Sequence, residues 1–328
     1  MPKSAAFARP HRTLFVTAAV ATFALALTGC SAAGADDTAA EGRTVSTEFG
    51  DVVIPATIDS VVVLEGRRDL DIALALDLPV VGIPTMDNAE DRAIEPPLAA
   101  AIAAAEDNGA EEIFLEDEVN LEAIAEVAPS LILSRNSDIE PIFDELSAIA
   151  PVLSVHSHGD MVSWQDDLLF VAEATGTEDT AADIIAEYDA RVAEIADTYA
   201  EQIAATPVAA VVYNDEGTSV QSTRLMSAAL FAVGALPSEI FAASSELVDE
   251  GIESSPEQTF DIFDDAGALI VSVETDEAWA GLEDDQLWAQ LPAVQAGNVV
   301  RTDKMTNEGG PITAMAALEL VEQLYAGL

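Results

Sequence analysis

Short runs of β-branched and aliphatic residues alternate along the chain with Ala-rich stretches of helical period, the spacing expected of parallel strands joined by helices. Strands are predicted at 52–54, 61–64, 80–82, 131–134 and 152–155 in the first half, and at 209–213, 269–273 and 299–301 in the second. Helices are predicted at 69–75, 97–105, 121–127, 142–149 and 164–174, then at 226–233, 256–263 and 314–325. Between the halves lies the longest helical signal, 178–203, whose apolar positions Ile184, Tyr188, Val192, Ile195, Tyr199 and Ile203 fall three or four apart and share one face. Thr177 stands where an N-cap belongs, Glu178 and Asp179 occupy the first turn where the helix dipole favours acids, and Pro207 ends the run. At 1.5 Å per residue this helix would be roughly 39 Å long, about the span of a lobe. The pattern therefore predicts two Rossmann-like α/β lobes, 46–176 and 206–328, joined by one rigid helix over 177–205. Such a link permits tilting and opposes wide opening.

A weak internal repeat supports two lobes of related build. "NLEAIAEVAPSLILS" (120–134) and "SPEQTFDIFDDAGALIVS" (255–272) each place a glutamate, Glu122 or Glu257, in the first turn of a short amphipathic helix that leads into an apolar strand. Either glutamate alone is explained by the helix dipole.

The first residues change the picture of where the chain resides. Lys3, Arg9 and Arg12 precede an apolar run at 14–27, which is shorter than the ~20 residues a membrane-spanning helix needs. Residues 1–29 therefore read as an export signal. Leu27-Thr28-Gly29-Cys30 is similar to a bacterial lipobox, in which the signal is cut before a cysteine that is then acylated. Cys30 is the only cysteine, so the fold rests on its core and not on an intrachain disulfide. Residues 30–45, rich in Ala, Gly, Asp and Thr, are expected to form the lipidated tether that holds the protein on the outer face of the cell membrane.

Charge narrows the function further. The chain has 12 Lys and Arg against 60 Asp and Glu; losing the three basic residues of the signal brings the formal charge near −51. Such a surface repels phosphate backbones and anionic headgroups, which excludes nucleic acid as a partner and leaves the lipid anchor as the route to the membrane. Against so many acids, the placement of the few bases is what informs. In open α/β lobes, ligands sit beyond the carboxyl ends of the strands. Arg67, Arg68, Arg135, Arg224, Arg301 and Lys304 all fall in loops at or near predicted strand ends, which predicts an electropositive cleft between the lobes.

Guanidinium forks suit the planar oxygen pairs of an anionic ligand. His156, Trp164, Tyr213 and Trp279 also follow predicted strands or open predicted helices and are expected to line the same cleft. Trp164 and Trp279 can equally be packing residues, and Arg67 or Arg68 can pair with Asp69 or Asp71. "HSHGD" (156–160) sets His156 and His158 on one side of an extended backbone, where they can contact ligand or ligate a metal. Two His and one Asp lack the third strong ligand of a closed zinc site, so no directly bound metal is expected.

Several blocks, in order, resemble one family. "DVVIPATIDSVVVLEGRRDLDIALALDLPVVGI", "NLEAIAEVAPSLIL", "FDELSAIAPVL", "AAVVYNDEG" and "LPAVQAGNVVRTD" are similar to the class III substrate-binding proteins of ABC importers, which carry iron-siderophores, haem or cobalamin. The resemblance implies a non-catalytic, monomeric binding protein with no resident cofactor, whose cargo is a ferric siderophore held by its own chelator. It implies docking on an ABC permease dimer through an exposed glutamate on each lobe, at the positions of Glu122 and Glu257. Cobalamin or haem on the same scaffold stays open, with Tyr213 and His156 as axial candidates for haem. A lipid-anchored hydrolase is the remote alternative: the chain shows no Gly-x-Ser-x-Gly elbow, phosphate-cradling loop or His-Glu-x-x-His. The positive rim favours an anionic chelate, although neutral hydroxamates also suit Arg and Tyr.

Overall fold

The computed structural model describes residues 42–85, 94–116, 118–156, 163–214, 217–247, 251–255 and 258–328. Cys30, His158 and Glu257 lie outside them, as do the signal segment and most of the tether. The part of the tether assigned to 43–45 is instead strand: β1 (Arg43–Thr47) and β2 (Gly50–Ile54) form an antiparallel hairpin, with Gly50 at φ 108° turning the chain.

The N-terminal lobe then runs β3 (Val61–Val63), α1 (Arg68–Ala75), β4 (Val80–Thr85), α2 (Ala99–Asp107), β5 (Glu111–Leu115) and α3 (Leu121–Val127). It continues through β6 (Leu131–Arg135), α4 (Asn136–Ile139), α5 (Phe143–Ser147), β7 (Val152–Val155) and α6 (Trp164–Thr175). Its sheet has the order β5-β4-β3-β6-β7 and is parallel throughout. Helices cover both faces, which is why the central strands read as unbroken apolar runs, Val61–Val63 above all. Asn120 caps α3 by accepting from the amides of Glu122 and Ala123, each at 3.1 Å, and Glu122 is exposed in that first turn.

The link between lobes is α7 (Glu178–Thr198), followed by a break at Tyr199 and the short α8 (Ala200–Ala205). The single helix expected to run to 203 is thus 21 residues long, roughly 32 Å. Its start also differs. Gly176, at φ 79°, closes α6 in the left-handed conformation and turns the chain directly into α7, and Thr177 makes no capping bond. The predicted apolar face is real: Tyr188, Ile195 and Ile203 are buried, and Tyr188 meets Trp164 edge-on at 5.1 Å.

The C-terminal lobe comprises β8 (Val208–Asn214), β9 (Gly217–Val220), α9 (Leu225–Ala232), α10 (Glu239–Ser244), β10 (Ile252–Ser254), α11 (Thr259–Phe263) and β11 (Ala268–Val273). α12 (Asp276–Asp284), α13 (Pro292–Ala296), β12 (Val299–Asp303) and α14 (Pro311–Ala326) complete it. Its sheet, β10-β9-β8-β11-β12, differs from the expected parallel plan: β8, β11 and β12 are parallel, and β9 and β10 add an antiparallel edge. The two lobes are therefore related only in part.

One apolar core passes through both lobes, from Val61 and Leu133 through Leu168, Tyr188 and Leu318 to Val211 and Ile270. Helix α14 is the hinge pin of this core, packing on β11 and β12 of its own lobe and on α1, α6 and α7 beyond it. A second, smaller cluster around Ile124, Ile132 and Leu146 fills the far face of the N-terminal sheet. Among the described residues, no helix is long and apolar enough to cross a membrane.

Candidate functional site

The carboxyl end of β3 delivers the first group of polar residues. Glu65 is buried and accepts from the amide of Asp69 at 2.7 Å and from Arg67 Nε at 3.0 Å, so it closes the first turn of α1 and holds Arg67 at once. Arg67 then reaches the other lobe, donating from Nη1 to Glu308 Oε2 at 2.7 Å. Arg68 donates to Asp167 Oδ2 at 3.0 Å and to the Gly309 carbonyl at 3.2 Å, a second link between lobes. Arg224, at the start of α9, donates to the other oxygen of Glu308 and is steadied by Gln221 at 2.8 Å.

The third link is Asp71. This buried carboxylate of α1 accepts from the amides of Gly310 (2.9 Å), Ile312 (2.8 Å) and Thr313 (3.0 Å) and from the Thr313 hydroxyl (2.7 Å). It therefore caps α14 from the opposite lobe, satisfying amides that a helix cannot pair internally. Burial pushes the carboxyl's pKa up, and the hydrogen bonds from Thr313, Ile312 and Gly310 pull against that rise.

Beneath these lies a buried charge cluster. Arg135, 1 % exposed, sits between Asp69 Oδ1 (2.8 Å) and Asp167 Oδ2 (3.1 Å) and donates to the His156 carbonyl at 2.8 Å. Asp167, also fully buried, holds His156 Nδ1 at 2.9 Å and leaves the half-exposed imidazole leaning on Phe170. Burial alone would lower the Arg135 pKa, but Asp69, Asp167 and Glu65 outweigh it and hold the guanidinium firmly charged. Burial raises Asp69 well above the usual carboxylate range, with Arg135 opposing. For Arg67, burial is likewise overcome by Glu65, Glu308 and Glu116, so its pKa is raised. Glu308 lies below the usual range, because Arg67 and Arg224 more than offset its partial burial.

Beside the Glu308 bridge opens a cavity of about 350 Å³ at the junction of the lobes, walled by Ile83, Pro84, Leu98 and Ile102 from one lobe and Met305 and Glu308 from the other. The lining is mainly apolar, with Glu308 as its charged edge on the C-terminal side. A second basic group gathers beyond β11: Arg301 lies 5.1 Å above the Trp279 ring and pairs with Asp276 at 2.8 Å, while Lys304 pairs with Glu274 at 2.6 Å.

These positions correct three expectations. Arg135 does not face a cleft; a guanidinium enclosed by protein needs carboxylates around it, and it has two. Trp164 is a core residue, 4 % exposed, in the packing role that its helix-start position equally allowed. The electropositive cleft is absent among the described residues, because each of the six strand-end bases is paired: Arg67, Arg68, Arg135, Arg224, Arg301 and Lys304 all meet a carboxylate. Arg67, Arg68 and Arg224 do converge at the lobe junction as the sequence suggested, and Tyr213 is half-buried where β8 pairs with β9. Glu65, Asp167 and Glu308 were missed, and Asp71, a candidate partner for Arg67 or Arg68, caps α14 instead. Only Glu65, standing directly after a strand in "LEGRRD", carried a signal of position.

Comparison with known proteins places this architecture. The sequence pattern described as "Periplasmic binding protein" matches residues 61–306. The chain belongs to that family. Within it, the chain is 27% identical over 227 residues to the probable siderophore-binding lipoprotein YfiY of Bacillus subtilis, covering 66% of this chain and 69% of that one. It is 26% identical over 266 residues to the ferric enterobactin-binding periplasmic protein FepB of Escherichia coli, covering 77% and 81%. Among solved structures, Staphylococcus aureus SirA complexed with staphyloferrin B superposes with TM-score 0.69 at 19% identity, covering 87% of this chain and 98% of that one. Bacillus subtilis FeuA complexed with ferri-bacillibactin does so with TM-score 0.68 at 17% identity, again covering 87% and 98%. These structures share the two-lobed fold. The family is one of solute-binding proteins, and its periplasmic character implies a place outside the cytoplasm.

Proposed function

We propose that the protein is an extracytoplasmic solute-binding lipoprotein that captures a ferric siderophore between its lobes and delivers it to an ABC importer. The observation that carries the reading is the meeting of Arg67 from one lobe and Arg224 from the other on a single carboxylate at the rim of the junction cavity. Guanidinium groups from both lobes beside a mainly apolar cavity, whose own charged lining is Glu106, Glu112 and Glu308, suit a chelate whose oxygens face outward around iron and whose linker is carbon-rich. Relatives named for siderophore binding support the same cargo. In this reading the iron stays within its chelator, as substrate, and no group of the protein need react. Arg67, Arg68, Arg224 and His156 form the near wall of the site, with Tyr213, Trp279 and Arg301 further along the strand ends. Cys30 carries the lipid, and Glu122 with Glu257 meets the permease.

The test is a titration of intrinsic fluorescence with a panel of ferric siderophores. Of the three tryptophans, Trp279 is half-buried and close to Arg301, so it is placed to report. Saturable quenching by at least one ferric chelate, abolished in a double Arg67→Ala, Arg224→Ala variant, is expected. A Soret band with haem and no response to any ferric siderophore would replace the cargo with haem.

A further inference from the structure

The junction holds its own anion. Glu308 bridges Arg67 and Arg224 with one carboxylate oxygen for each, and it does so on the edge of the cavity where cargo is proposed to sit. Around it, the guanidinium groups of Arg67, Arg68, Arg135 and Arg224 are matched by the carboxylates of Glu65, Asp69, Glu116, Asp167 and Glu308. Even with Asp69 protonated, the group has no surplus of positive charge to offer. Of the five acids, Glu65, Asp69 and Asp167 are buried at 1 % exposure or less, so their charge is built into the fold. Glu308 is different: its side chain is 39 % exposed and it stands in the loop between β12 and α14. It is the acid of this group that links the lobes and borders the cavity.

We infer that Glu308 is a specificity-determining residue, an internal counter-anion that holds the donors of Arg67 and Arg224 and so makes the cleft select neutral ferric chelates over multiply anionic ones. An anionic chelate must displace Glu308 from both arginines or sit beside a carboxylate that repels it. A neutral chelate accepts from the remaining guanidinium N–H groups with the bridge in place. Arginine has five such donors; Glu308 uses one from each residue, while Glu65 takes Arg67 Nε and Gln221 takes Arg224 Nε. The inference rests on the capture reading above and narrows it to a charge class.

The experiment compares the wild-type protein with Glu308→Gln, which keeps the shape and one acceptor but removes the charge. Both are titrated with three probes: a neutral ferric tris-hydroxamate, a triply anionic ferric tris-catecholate and iron-free citrate. The wild type is expected to bind the tris-hydroxamate more tightly than the tris-catecholate and to ignore citrate. The variant should gain at least about tenfold for the tris-catecholate, take up citrate, and stay within about threefold for the tris-hydroxamate, since an added unit of charge acts on each probe in proportion to its own. Glu308→Asp, with the charge retained, should keep the wild-type order. Equal changes for all probes, a loss of tris-catecholate affinity in Glu308→Gln, or a wild type that already prefers the anion would overturn the inference and leave capture intact. If the wild type takes no ferric chelate, the capture reading fails and the selectivity inference fails with it, whatever Glu308→Gln does with citrate. If neither protein binds any probe, both fail.

Discussion

Replacing Asp71 with alanine should unlock the lobes at their strongest polar joint. The substitution strips the acceptor from the amides of Gly310, Ile312 and Thr313 and from the Thr313 hydroxyl. Gly310 and Thr313 are buried, and each amide left without a partner costs ~1–3 kcal/mol; Ile312 is partly open and can find water, and the hydroxyl can rotate. Removing Asp71 also relieves the desolvation of a buried carboxylate, so the net loss should be about 4 kcal/mol, a large part of the ~5–15 kcal/mol that stabilises a typical protein. At ~2 °C per kcal/mol for a chain of this size, the melting temperature should fall by about 8 °C, measured by circular dichroism at 222 nm and by urea titration. Asn120→Ala is the control: it removes an exposed cap within one lobe and should cost only about 1 kcal/mol. Asp71→Asn should lose less than alanine, because its amide oxygen in the Oδ2 position still accepts from the Gly310 and Thr313 amides and the Thr313 hydroxyl, leaving only the Ile312 amide against its NH₂. If Asp71→Ala melts no lower than Asn120→Ala, the interlobe cap does not hold the lobes together and this account of their rigidity is wrong.

The Glu308 bridge should be acid-labile. The carboxyl sits below its ordinary pKa, so its stabilising effect is complete above the usual carboxylate range and disappears as pH falls through the lowered value. Its surroundings are Arg67 and Arg224, with Glu65 and Glu116 facing Arg67, and the stabilities of wild type and Glu308→Gln should differ at neutral pH and converge in acid. Arg135→Met should be among the most damaging single changes, costing ~3–5 kcal/mol, because it strands Asp69 in the interior and leaves Asp167 only Arg68 and His156; soluble yield and melting temperature both report it. Added sodium chloride should raise the melting temperature, since screening relieves the self-repulsion of a chain with 60 acids and 12 bases; a flat response up to 1 M would show that the acids do not strain the fold. Transport should be lost in a double Glu122→Ala, Glu257→Ala protein with soluble ligand affinity unchanged, and normal uptake would remove docking from these positions.

Much of the architecture was legible because buried parallel strands leave a plain record. Val61–Val63 and Ala268–Val273 are covered on both faces and were found within a residue or two. The edge strands β5 and β10 were not, since Glu111 or Glu253 breaks the apolar run where one face meets solvent, nor was β9 between β10 and β8, whose Gly-Thr-Ser start reads as polar although Thr218 is buried. The break at Tyr199 left no mark either: the spacing of apolar positions continues across it into Ile203. For the site, sequence located the arginines and not their partners. Among so many acids, nothing local distinguishes Asp167 or Glu308 from a solvated surface residue. Their role depends on contacts nearly one hundred residues or more away, Arg68 to Asp167 at a separation of 99 and Arg67 to Glu308 at 241.

That separation matters most for Asp71, whose partners lie 239 to 242 residues further on. A chain emerging N-terminus first presents α1 long before α14. Until the final segment arrives, Asp71 has no donors, and burying it would leave a bare carboxylate in the core. With its polar joint made of contacts so distant in sequence, the protein should fold slowly, as topologies rich in distant contacts do. A chain cut before residue 310 lacks every donor that Asp71 meets in the folded protein, so the N-terminal lobe alone cannot bury that carboxylate with its hydrogen bonds made.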